Sequence, residues 1–88
     1  MASIQDIHAL EERIYDAVQE YLDNPGGYNN ATLHVYLDEN EMEYRADMED
    51  NLQGTEDDGI YPIADLIRDG ELDNDKASDI ANSWIFLD

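Results

Sequence analysis

Between Ile4 and Leu22 the large apolar residues Ile4, Ile7, Leu10, Ile14, Val18, Tyr21 and Leu22 recur at steps of three and four. That period marks one face of an α-helix. Ser3 followed three residues on by Asp6 makes a capping box with Asp in place of Glu. Asn24-Pro25-Gly26-Gly27 closes the segment, because proline breaks the backbone bonding and glycine takes the left-handed closing conformation. The pattern predicts a helix over 4–23. A helix with a single apolar stripe is stable only if the rest of the chain covers that stripe.

The rest of the chain changes period. In Ala31-Thr-Leu-His-Val-Tyr-Leu37, Leu33, Val35 and Leu37 alternate with Thr32, His34 and Tyr36, which is the mark of a strand with two unlike faces. Residues 38–41 are polar and predict a turn, and Met42–Met48 alternates again, with Met42, Tyr44, Ala46 and Met48 opposite Glu43, Arg45 and Asp47. These segments predict a β-hairpin, its apolar face laid on the first helix and its other face acidic. From 49 to 59 only Leu52 interrupts a polar, acidic stretch, which predicts a loop. Pro62 stands where a short helix could begin, with Ile63, Leu66 and Ile67 along it and Gly70 at its end. A last helix is predicted from about Asn74, turning Ala77, Ile80, Ala81 and Trp84 inward. Trp84-Ile85-Phe86-Leu87 suits either the end of that helix or a short third strand.

The expected fold is therefore a single α+β domain over 1–88: N-terminal amphipathic helix, antiparallel β-hairpin, short helix, C-terminal helix. Its expected core is Ile7, Leu10, Ile14, Val18, Leu33, Val35, Leu66, Ile67, Ile80 and Trp84. That core is thin, since Leu, Ile, Val and Phe number only 19 of 88 residues. Tyr, six in number, and the one Trp add apolar area.

Against this small core stand 23 Asp and Glu and 4 Lys and Arg, a net charge of -19. Solubility of a small domain asks for roughly 2 to 8, and the excess works against compaction by self-repulsion. Nucleic acid and anionic membrane are excluded as direct partners. Without cysteine there is no disulfide, thiolate metal site or thiol nucleophile. No basic segment followed by an apolar run opens the sequence, and no stretch approaches the ~18 apolar residues of a membrane span. A cytoplasmic protein is the expectation.

No catalytic constellation emerges, so no enzyme, cofactor or metal is expected. Carboxylate pairs are too abundant here to be specific, and His8 and His34 are distant in sequence, the first expected on a helix side and the second on the outward strand face. Asp69-Gly-Glu-Leu-Asp-Asn-Asp75 is rich in hard oxygen donors. A calcium loop needs Gly at its sixth position and Glu at its twelfth. Counting from Asp69 those places hold Asn74 and Ile80, and counting from Asp73 they hold Ser78 and Trp84. An acidic connecting turn fits the segment better.

Two acidic fields remain. On the first helix Glu12, Asp16 and Glu20 recur every four residues, extended by Asp23, opposite the apolar stripe. At ~1.5 Å rise per residue they stand about 6 Å apart. The second field holds Asp38, Glu39, Glu41, Glu43, Asp47, Glu49, Asp50, Glu56, Asp57 and Asp58 against Arg45 alone. Duplex DNA carries one negative charge per ~1.7 Å of axis, and ordered carboxylate rows can present a similar potential to a basic groove. The expected function is an acidic binding protein, in its sharpest form a DNA mimic occupying the nucleic-acid site of a basic nuclease, restriction or CRISPR effector, or regulator. The alternative is a small interaction module binding through an apolar patch near Tyr36, Tyr44 or residues 84–87, with charge serving solubility. Adaptation to high salt accounts for the same composition.

The run Glu12-Arg-Ile-Tyr-Asp-Ala-Val-Gln-Glu-Tyr-Leu-Asp23, the glycine pair with Tyr28, the hairpin, and Tyr61-Pro-Ile-Ala-Asp-Leu-Ile67 resemble small acidic proteins encoded on bacterial plasmids, conjugative elements and phages. The resemblance spans most of the chain through amphipathic segments. It implies a role of the kind known for some such proteins, which block host defence enzymes or other nucleic-acid-binding proteins. It carries no functional residue over to this chain.

Overall fold

The computed structural model describes residues 4–54 and 59–84. The capping pair of Ser3 with the Asp6 side chain, the acids Glu56, Asp57 and Asp58, and the ambiguous Ile85-Phe86-Leu87 lie outside what is described.

The first helix, α1, runs Ile4–Asp23 as the periodicity predicts. The Asn24 N–H bonds back to the carbonyls of Glu20 and Tyr21, and a single 3-10 turn at Pro25–Gly27 leads the chain away. Strand β1, Ala31–Asp38, and strand β2, Glu43–Asp50, form the antiparallel hairpin, pairing Leu33 with Met48, Val35 with Ala46 and Tyr36 with Arg45. This register puts Leu33, Val35 and Leu37 of β1 on the same side as Tyr44, Ala46 and Met48 of β2, with Tyr36 on the other. β2 continues to Asp50, so Glu49 and Asp50 belong to the sheet rather than to the expected loop.

From residue 59 onward the chain departs from expectation. Ile60–Pro62 is a third strand, β3, added antiparallel to β1 with Leu33 opposite Tyr61, so the sheet order is β2-β1-β3. Pro62 ends that strand instead of opening a helix, and the chain then makes one 3-10 turn, Ile63–Asp65. Ile67–Arg68 (β4) and Glu71–Leu72 (β5) pair as a miniature hairpin. Its two turn residues, Asp69 and Gly70, have φ of 55° and 80°, the left-handed pair that a tight hairpin turn demands. The short helix expected up to Gly70 is replaced by these pieces.

Helix α2 occupies Asn74–Trp84. Asp73 caps it: its carboxylate accepts the Asp75 N–H at 3.0 Å and its carbonyl accepts the Ala77 N–H. The acid-rich segment 69–75 is thus a hairpin turn and a helix cap. Among the described residues no group of three or more His, Asp or Glu is gathered to hold a metal. None of the described helices is long and apolar enough to cross a membrane.

The core lies between the apolar face of the sheet and the two helices. α1 covers β2, α2 packs beside α1, and the Trp84 indole N–H reaches the Tyr61 hydroxyl at 2.5 Å. Leu10, Ile14, Val18, Leu33, Val35, Leu66 and Ile80 are buried as expected, whereas Ile7, Ile67 and Trp84 are partly covered at its margin. Ala17, Ala31, Ala46, Met48, Tyr61, Leu72, Ala77 and Ala81 complete it.

Candidate acidic interface

The unbroken α1 carries the helix row as a ridge, with Glu12, Asp16, Glu20 and Asp23 all exposed and Asp16 and Glu20 bordering β2. None of the four is neutralised by a cation of its own helix. Arg13, the one cation on α1, crosses to β2 and donates to Glu43 at 2.9 Å.

The hairpin field divides into two parts with different roles. At the tip, the Asp38 carboxylate accepts the N–H groups of Asn40 and Glu41 and the Arg45 Nε at 3.0 Å. Arg45 also pairs with Glu41, and it lies 3.9 Å from Glu43. Asp38, Glu41 and Glu43 are therefore tied into a cluster with Arg13 and Arg45. Asp38 in particular shapes the turn, with its side chain only 26% exposed. Glu39 stays exposed at the tip.

Further along β2, Asp47 and Glu49 face outward and Asp50 turns to the other side, none of them opposite an arginine in the register. Asp47 accepts the Tyr36 hydroxyl at 2.6 Å, Glu49 stands 3.7 Å from His34 Nδ1, and Asp50 accepts the Asn29 N–H at 3.1 Å. The His34 and Tyr36 rings stack at 4.8 Å on this face. His34 Nδ1 is buried and has no hydrogen-bond partner among the described residues. The hydrogen bond that Tyr36 donates to Asp47, together with burial and the same carboxylate's charge, raises the Tyr36 phenol above its ordinary 10.0. A raised folded-state value adds stability that is complete below pH 10 and is lost as pH climbs through the shifted value. Asp47→Asn is expected to move the Tyr36 titration back toward 10, read by ultraviolet titration against the Tyr36→Phe variant. An unchanged titration would mean that the bond to Asp47 is not formed in solution.

The two fields meet along a groove between α1 and β2. Arg13, Asp16, Ala17 and Glu20 form one wall, Ala46, Asp47 and Met48 the other, and Tyr28 closes an end. Tyr28 leans on Tyr21, ring centroids 5.7 Å apart, and burial and then the Glu20 and Asp50 charges raise its phenol. At about 270 Å³ the groove is smaller than the ~300–1,000 Å³ of small-molecule pockets, and it is open along its length. Its shape suits a chain segment better than an enclosed ligand.

Of the residues expected for an apolar patch, Ile85, Phe86 and Leu87 lie outside the described residues. Tyr36 and Tyr44 fall on opposite faces of the sheet, and Trp84 is turned onto Tyr61 and Gly59. The large apolar side chains most open to solvent among the described residues are Tyr15, Leu37 and Met42.

Arg13 bridging to Glu43, and the groove it helps to bound, were beyond sequence reasoning, since 30 residues separate the pair. Comparison with protein-family models, with curated proteins and with solved structures finds no match to this chain.

Proposed function

We propose that this protein binds a basic protein and occupies its nucleic-acid site by presenting a duplex-like density of negative charge. Charge per unit length carries the proposal. The long axis of the molecule is 39 Å, and the described residues hold 19 Asp and Glu and 4 Lys and Arg, a net of -15, so about one net charge falls per 2.6 Å, within a factor of two of the ~1.7 Å of duplex DNA. Ordering of the charge supports it further. The ridge of α1 holds no cation, and Arg13 and Arg45 are spent on the hairpin tip. The other two cations, Arg68 and Lys76, belong to β4 and α2. Such a surface attracts a basic groove over long range and docks by exchanging counterions for arginine and lysine. The same role is what the resemblance to acidic mobile-element proteins implies.

The test is displacement of a labelled duplex from purified basic DNA-binding proteins, a restriction endonuclease and a histone-like protein among them. The protein is expected to release the duplex from at least one of them. Its affinity should fall steeply between about 50 and 200 mM salt. Combining Glu12→Gln, Asp16→Asn and Glu20→Gln is expected to weaken displacement about 100-fold, at roughly 1 kcal/mol for each lost charge. The same variant should gain a few tenths of a kcal/mol in stability for each relieved i,i+4 pair, so weaker binding cannot be ascribed to unfolding. Displacement of no duplex, or a triple variant as potent as the parent, would end the proposal.

A further inference from the structure

Resting on that reading, we propose that the partner engages through an extended basic segment that adds to the outer edge of β2 as a fourth strand, lying in the groove beneath α1.

The backbone supplies the first argument. Val35 donates its N–H to the Gly59 carbonyl at 2.7 Å, so the main chain of Val35 faces β3. Antiparallel strands turn alternate residues to alternate neighbours. Thr32, His34 and Tyr36 therefore face β2, and their register partners Glu49, Asp47 and Arg45 face back to β1. The bond from the Asn51 N–H to the Asn30 carbonyl continues the same phase. Tyr44, Ala46 and Met48 consequently point their N–H and C=O groups away from the sheet. β2 is an edge in the strand order, and among the described residues no strand pairs with that side. Such a row of unused donors and acceptors is a template for strand addition.

Position and charge supply the second. An added strand would lie about 4.8 Å beyond β2, in the groove where Ala46 and Met48 meet Asp16, Ala17 and Glu20. Its side chains would alternate between two acidic surroundings. Those turned up toward α1 meet Asp16 and Glu20, and those turned down lie beside Asp47 and Glu49 on the outer face. Arg13 and its bond to Glu43 limit the basic stretch at the hairpin-tip end. Basic residues thus suit both faces of a segment of about seven residues, the reach of Tyr44–Asp50.

A second copy of this chain is the rival occupant, and charge disfavours it. Edge-to-edge pairing of two β2 strands would bring Glu43, Asp47, Glu49 and Asp50 of one against those of the other, with only Arg45 to offset them. Like charges across a ladder are destabilising, and each chain carries -19 overall.

The experiment uses the full chain and a synthetic peptide of alternating lysine and valine, seven residues long as a rough match to the edge. Two analogues with the same charge are methylated on alternate backbone nitrogens, one in each phase. Expected are slowed amide exchange at Tyr44, Ala46 and Met48 on adding the parent peptide, about 100-fold weaker binding by one analogue, and nearly unchanged binding by the other. That loss is the worth of roughly three backbone hydrogen bonds. If both analogues bind like the parent, strand addition is wrong and charge-driven binding stands. If the peptide does not bind while the duplex is still displaced from a basic protein, this inference fails alone. If neither happens, both readings fail together. Protection of the three amides without peptide, in a sample that sediments as a dimer, would assign the edge to a second copy and overturn the inference.

Discussion

Replacing Gly59 by alanine is expected to destabilise the protein by about 2–5 kcal/mol and to lower Tm by about 10 °C or more. Two costs combine there. Gly59 has φ of 79°, a left-handed conformation unfavourable to any residue with a Cβ. A Cβ built on it would also stand 2.3 Å from the Val35 carbonyl oxygen and 2.8 Å from the Trp84 ring. The carbonyl is main chain in the central strand and cannot swing aside, so relief requires parting β1 from β3. Gly70→Ala is the control. With φ of 80° and nothing within 4 Å of the added carbon, it carries the conformational cost alone, about 1–2 kcal/mol. Thermal melts of both variants, with the fluorescence of the sole tryptophan, Trp84, as a second probe, separate the two costs. Equal losses in the two variants would mean that Gly59 is not pressed against β1.

Leu33→Ala should have the next largest effect, and its size should depend on salt. Leu33 is fully buried at the middle of β1, flanked by Met48 and Tyr61 in the register. Truncating such a leucine costs about 2–5 kcal/mol, through lost transfer energy and the cavity left behind. Small domains hold only about 5–15 kcal/mol in total, and here the -19 charge subtracts from it. In ~10 mM salt, where the screening length is about 30 Å, the variant is expected to show no cooperative melting transition. Near 1 M, where the screening length is about 3 Å, it should regain one. The parent should stay folded in both and melt at a higher temperature in the second. Salt-independent melting of both would show that self-repulsion is negligible. A parent that is itself unfolded in low salt would match the adaptation to high salt that the composition also fits.

The parts of the fold legible in the sequence are those written in a local period. The bounds of α1, the inward faces of β1 and β2 and the start of α2 come from spacings of three to four or of two residues. β3 was hidden because three residues show no alternation, and its partner β1 precedes it by some 28 positions. The Asp69-Gly70 turn was visible as a signal and ambiguous in meaning, since glycine after an apolar run also ends helices. The period alone turns Ala46, Ala77 and Ala81 inward, whereas the buried Ala17 and Ala31 went unread because nothing in an alanine's own character calls for burial. They are inside because helices and sheet approach closely there.

The acidic surface divides in the same way. Four-residue spacing on a helix is enough to align Glu12, Asp16 and Glu20, so the ridge was determined by sequence alone. Tertiary structure decided which hairpin acids are tied up within the fold. Asp38 builds the turn, and Glu41 and Glu43 are held by arginines, one of them from α1. It also decided that β2 keeps an open edge beside that ridge. Periodicity is a property of neighbours along the chain, whereas an ion pair, a strand edge and a groove arise between segments that only folding brings together.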